Sequence, residues 1–129
     1  MAIIGAHVLL YTPDAEALRA TFRDVFGFKH VDAGGGWLIF ALPPAELGIH
    51  PTDSPGEESS VHHELSLMCD DIDATVRELR AKGIDVRGEP EDHGYGITVM
   101  LSLPGGVPVQ LYEPRHPVAI PVKTQPTPH

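Results

Sequence analysis

The two halves of this chain repeat one plan, and a repeat constrains a fold more tightly than any single motif. His7-Val-Leu-Leu-Tyr11 opens the first half and His63-Glu-Leu-Ser-Leu67 opens the second. A turn and a helical stretch follow each opening, closed by Gly27-Phe28 and by Gly83-Ile84. The interval from His7 to His63 equals the interval from Gly27 to Gly83. Each half then ends on a short strand bearing a possible ligand: Leu47-Gly-Ile-His50-Pro51 in one, Val109-Gln-Leu-Tyr-Glu113-Pro114 in the other. A unit of about sixty residues would be only marginally stable alone, so two such units are expected to share a core. An imidazole on each opening strand, and an imidazole or carboxylate on each closing strand, offers four donors to one metal ion.

Local signals place the elements. Ile3–Tyr11 is rich in Ile, Val and Leu and reads as a largely buried strand. Thr12 and Pro13 read as the cap and first position of a helix whose stripe is Leu18, Phe22, Val25 and Phe26, with Gly27 ending it. Strands are expected near Lys29–Asp32, Trp37–Leu42 and Glu46–His50. Three consecutive glycines, Gly34 to Gly36, join two strand-like runs and read as a hairpin turn, since a phosphate loop would lead into a helix. Residues 52–60 are polar and turn-rich and form the linker. In the second half Val61–Cys69 is the opening strand. Asp70 or Asp71 caps a helix with the stripe Ile72, Val76 and Leu79. Strands then fall near Ile84–Arg87, Ile97–Leu103 and Val107–Tyr112, with Gly88–Tyr95 as an added loop and Pro104-Gly105-Gly106 as the last turn. The domain therefore runs over 1–116, with modules at about 1–52 and 61–116 and a Pro-rich tail over 117–129.

Charge and composition narrow the partners. A formal charge of −9, from 18 acidic against 9 basic residues, repels phosphate backbones and argues against nucleic acid. No apolar run reaches the ~18 residues of a membrane span, and Met-Ala-Ile-Ile-Gly lacks the charged lead and apolar core of a signal peptide. A single cysteine, Cys69, excludes an internal disulfide and suits a reducing cytoplasm; in its apolar strand it reads as a small packed thiol.

The order strand–helix–strand–strand–strand, taken twice, resembles the vicinal oxygen chelate superfamily. The segments that carry the resemblance are His63-Glu-Leu-Ser-Leu-Met-Cys-Asp-Asp-Ile-Asp-Ala-Thr-Val-Arg-Glu-Leu-Arg-Ala-Lys-Gly83 and Leu103-Pro-Gly-Gly-Val-Pro-Val-Gln-Leu-Tyr-Glu-Pro114. That superfamily includes glyoxalase I, extradiol dioxygenases and bleomycin-binding proteins. The resemblance implies an α+β fold: two βαβββ modules forming a curved, cup-like mixed sheet of about eight strands with flanking helices. It implies metal ligands on the first and last strands of the modules, which map onto His7, His50, His63 and Glu113. By strand alternation His7, Leu9 and Tyr11 share a face, as do His63, Leu65 and Leu67, and Val109, Leu111 and Glu113.

The resemblance also implies a small-molecule substrate, a homodimer and a divalent metal, with Fe, Mn, Zn, Ni and Co all compatible. Two histidines and a carboxylate leave positions open for a substrate chelated through adjacent oxygens. His50, with Glu113, is then expected to serve catalysis, His50 moving a proton if it is not held on the metal. The leading expectation is a metal-dependent glyoxalase- or dioxygenase-type enzyme. An Fe(II) extradiol dioxygenase and a drug-binding protein of the bleomycin-resistance type are the alternatives. The Asp92-His93-Gly94-Tyr95-Gly96 loop is expected to line the cup mouth, with His93 and Tyr95 contacting substrate. His62 rivals His63 as ligand and Glu46 rivals His50. Core packing is expected for Tyr11, Trp37, Phe40 and Met100, and a surface position for His30, Arg115 and His116.

Overall fold

A computed structural model describes residues 7–49 and 63–120 of the chain. His50, His62 and the linker lie outside the described residues, as does the tail beyond residue 120.

In the first half, α1 (Ala15–Ala20) runs directly into a π-helical turn, Thr21–Val25. The wider turn is closed by the Phe26 N–H donating to the Thr21 carbonyl at 3.1 Å. It aims Phe26 and Phe28 at Phe22, with ring centroids 5.1 and 5.6 Å away. The cap is Asp14 and not Thr12: its carboxylate accepts from the Ala17 N–H at 3.4 Å. Thr12 has a different job. Its hydroxyl donates to the Pro104 carbonyl at 3.1 Å, and a Cβ on Gly105 would collide with it. Gly105 therefore lets the start of the first helix close down on the last hairpin of the second half. β1 (His30–Asp32) and β2 (Leu38–Phe40) form the glycine-turn hairpin, and Gly34, Gly35 and Gly36 all take positive φ.

The second half is a four-stranded sheet in the order β3 (Ser66–Met68), β6 (Val107–Pro114), β5 (Gly96–Leu103), β4 (Asp85–Asp92). β3 runs parallel to β6 and the other pairs are antiparallel. α2 (Ile72–Ala81) makes the β3–β4 crossover, with Asp71 as cap. β4 continues well past Arg87, so much of the expected loop over Gly88–Tyr95 is strand. The extra length is absorbed as a register shift between Arg87 and Glu91.

One face of this sheet is packed. Val99, Leu101 and Leu103 of β5, and Val107, Val109 and Leu111 of β6, are buried with Ile72, Val76 and Leu79 of α2 and Leu18 and Phe22 of the first half. The two predicted helical stripes thus meet on a single sheet face. The opposite face is open: Thr98, Met100, Gln110 and Tyr112 alternate with the buried positions and keep partial or full exposure.

Six strands stand among the described residues, in two sheets, against the eight expected. Residues 7–11 and 46–49 were expected to be the outer strands of the first module, and neither is paired in a sheet. They leave Leu9 at 59%, Leu47 at 86% and Ile49 at 90% exposure, more apolar surface than a solvent-facing segment usually shows. Tyr11, Trp37 and Met100 are exposed as well, which overturns the core role expected for them; Phe40 does pack against the core.

Candidate functional site

Among the described residues, two of the expected donors, His63 and Glu113, stand apart. β3 pairs with β6 in the register Ser66–Gln110, Leu67–Leu111, Met68–Tyr112. Gln110 also donates to the Leu65 carbonyl at 3.4 Å, so the pairing carries on toward the linker. Continued to His63, that register sets it level with Val107, at the far end of β6 from Glu113. The separation is about 20 Å at the rise of a strand. His63 is exposed and Glu113 half-buried. Glu113 also has another partner: its Oε1 accepts from the Ile72 N–H, the first of α2, at 3.0 Å. A carboxylate there satisfies an N–H with no intrahelical acceptor and meets the positive end of the helix dipole.

Face assignment gives the same result. Leu67 and Cys69 pack against the core, as do Val109 and Leu111. Glu113 continues the buried parity of β6, and His63 shares the parity of Leu67. The face shared by Val109, Leu111 and Glu113 is the one that meets α2. His7 behaves differently. It shares the exposed side with Leu9 and Tyr11, while Leu10 turns to the core. His50 is outside the described residues. Among the described residues, no three His, Cys, Asp or Glu side chains form a group able to hold a metal ion. His7, His63 and Glu113 thus form no such group among the described residues.

The open face does carry oxygen donors that sequence reasoning passed over. Strand alternation puts Glu64, Ser66 and Met68 on it beside Gln110 and Tyr112. Glu64 precedes β3 on the parity of Ser66, whose register partner is Gln110. Leu65, Leu67 and Cys69, apolar at period two, set one parity and leave Glu64 on the other; packing against α2 then makes the first of these the buried one. A hollow of about 330 Å³ lies toward β4, lined by Arg87, Glu91, Thr98, Met100 and Gln110 among others.

The β4–β5 turn closes one end of this face. The His93 ring lies parallel to Tyr95, with centroids 5.6 Å apart and planes at 14°. Its Nε2 is 3.0 Å from the Thr98 hydroxyl and 3.8 Å from a Glu91 oxygen. Arg115 anchors the turn: its guanidinium donates to Asp92 at 2.8 Å and its N–H to the Tyr95 carbonyl at 2.9 Å. Tyr112 is tilted against Tyr95, and His116 against Tyr112. His93 and Tyr95 thus stand together, while Arg115 is committed to an ion pair and His116 joins an aromatic row. Burial, with the nearby Tyr95 and Glu46, raises the Tyr112 phenol above its ordinary pKa. Glu46 itself accepts from the Ala119 N–H at 2.9 Å.

A helix-backed mixed sheet with one open face, preceded by a helix and a two-stranded hairpin, defines the class: a mixed α+β protein. The family is equally plain. The chain matches the model of the Glyoxalase/Bleomycin resistance protein/Dioxygenase superfamily over residues 5–111 and belongs to that superfamily. It is 32% identical over 111 residues to a manganese-dependent 2,3-dihydroxybiphenyl 1,2-dioxygenase from Geobacillus genomosp. 3. That match covers 82% of this chain but only 35% of the relative's length. Among solved structures it is similar to TnmS3, an antibiotic binding protein from Streptomyces sp. CB03234. The identity is 28%, over 88% of this chain and 99% of that one, with a TM-score of 0.57. Lactoylglutathione lyase from Agrobacterium tumefaciens shares the fold at 23% identity, over 81% of this chain and 88% of that one, with a TM-score of 0.55.

Proposed function

We propose that the chain binds a small organic molecule on the open face of its four-stranded sheet, with Met100, Thr98 and Gln110 as floor and His93 and Tyr95 at one end. The observation that carries this reading is the asymmetry of the sheet. One face is filled by two helices, and the other holds a hollow edged by both apolar and hydrogen-bonding side chains, as small-molecule sites do. The near full-length similarity to an antibiotic binding protein supports it. The chemistry of the face is binding chemistry: thioether and tyrosine surfaces for apolar contact, Gln110 and Thr98 for hydrogen bonds, and Arg87, paired to Asp85 at 3.0 Å, at the rim. Titration of the metal-free protein with a panel of antibiotics, followed by calorimetry, tests this. Saturable binding at one site per chain, lost in Met100→Arg, is expected. Binding that ignores Met100→Arg contradicts it.

A second reading is favoured by the 32% identity to a manganese-dependent dioxygenase. Here the chain is a metal-dependent dioxygenase- or glyoxalase-type enzyme. Glu64 and Gln110 supply hard oxygen donors of the kind manganese takes, and His7 and His50 supply imidazoles from the first module. A divalent ion would supply Lewis-acid polarisation of a substrate's adjacent oxygens. His63 and Glu113 are dispensable on this reading. Metal analysis of untagged protein grown with manganese decides it. One ion per chain, lost in Glu64→Ala and kept in Glu113→Gln, with oxygen uptake on 2,3-dihydroxybiphenyl, supports an enzyme. Metal well below one per chain sinks it.

Both readings accommodate a homodimer. The exposed apolar residues of segments 7–11 and 46–49 are what a second copy would cover.

A further inference from the structure

We infer that His93, Tyr95, Tyr112 and His116 form a stacking surface that selects planar aromatic cations. The inference rests on the open face being the ligand surface, and it names the chemical class taken there. The four rings come from three places in the chain: the β4–β5 turn, the end of β6 and the residue pair after it. They nevertheless form one row, with successive centroids 5.6, 6.2 and 5.7 Å apart. The row is held in shape from outside the rings. Arg115 ties the turn to the end of β6, the His93 N–H donates to the Gly96 carbonyl at 2.9 Å, and the Tyr112 ring lies where a Cβ on Gly96 would be. A surface fixed this way loses little freedom when a ligand stacks on it.

Tyr95 decides the geometry. One of its faces meets His93, yet the residue stays 55% exposed, so aromatic surface is left for a further ring. Charge decides the sign. A Glu91 oxygen is 3.8 Å from the His93 imidazole, and Glu46 is near enough to raise the Tyr112 phenol. The guanidinium of Arg115 is paired with Asp92 at 2.8 Å. Electron-rich tyrosine faces beside carboxylates attract a delocalised cation and repel an anion of the same shape. The formal charge of −9 adds a long-range pull in the same direction.

Three fused rings with either sign of charge provide the test. The protein, stripped of metal with a chelator, is titrated with proflavine and with anthraquinone-2-sulfonate, reading dye fluorescence and calorimetry. Proflavine is expected to bind at least tenfold more tightly than the sulfonate, and the gap is expected to narrow as salt is raised. Tyr95→Ala is expected to weaken proflavine at least tenfold and Tyr95→Phe to restore it. Because Tyr95 is largely exposed, its removal leaves the fold intact, which an unchanged melting temperature verifies. Equal affinity for the two dyes overturns the charge selection. Unchanged proflavine affinity in Tyr95→Ala overturns the stacking surface. The antibiotic titration reads the floor through Met100 and the dye titration reads the rings through Tyr95, so either reading fails without the other.

Discussion

At the scale of single residues, chemical type proved a poorer guide than side-chain direction. Glu113 has the right chemistry for a ligand, yet it faces the start of α2. Glu113→Ala is therefore expected to cost about 1 kcal/mol of stability, the size of a lost helix cap, seen as a lower urea midpoint with ligand affinity unchanged. Cys69 shows the reverse case, where the expectation of a packed thiol agrees with its surroundings. Burial, reinforced by the Glu113 charge, raises its pKa to about 11. At pH 8 the thiolate is then a very small fraction, and alkylation by iodoacetamide is expected to be on the order of a hundredfold slower than for free cysteine. The rate should climb as pH rises toward 11. Reaction at the free-cysteine rate in folded protein would contradict this environment.

At the scale of elements, much of the second half was legible. The stripe Ile72, Val76 and Leu79, the glycine after it and the Pro104 turn each have a local physical cause, and each stands where that cause puts it. What stayed hidden was which face of β3 and β6 meets the helices. β3 has apolar side chains on both parities, Leu67 and Cys69 on one and Met68 on the other, so alternation alone names two faces without ranking them. Only the docking of α2 ranks them, and that is a tertiary event. The continuation of β4 to Asp92 was hidden for a similar reason, since Gly88 and Pro90 discourage a strand until β5 supplies its partner. Gly96 offers an element-scale test. A Cβ there runs into the Tyr112 ring and the Glu113 carbonyl. Gly96→Ala is expected to displace Tyr112, lowering the melting temperature and weakening proflavine together. A variant that lowers neither would show the ring elsewhere.

At the scale of the whole molecule, the two halves are unequal. The second has its core, centred on Leu101 at 0% and Val109 at 1% exposure, and Leu101→Ala is expected to cost about 3 kcal/mol in denaturant titrations. The first leans on that core through Leu18 and Phe22 and leaves its outer segments apolar and unpaired. The duplication was plain in the sequence. How the outer segments are covered was not, because among the described residues neither is paired in a sheet. Light scattering is expected to give twice the chain mass, and a monomer at micromolar concentration would contradict that cover. The account stands or falls on which sheet face meets the ligand, and methyl-labelled methionine reads this directly. On titration with an antibiotic that binds, the Met100 methyl resonance, and Met68 with it, is expected to shift in step with occupancy. Saturable binding that leaves both resonances in place would put the ligand elsewhere.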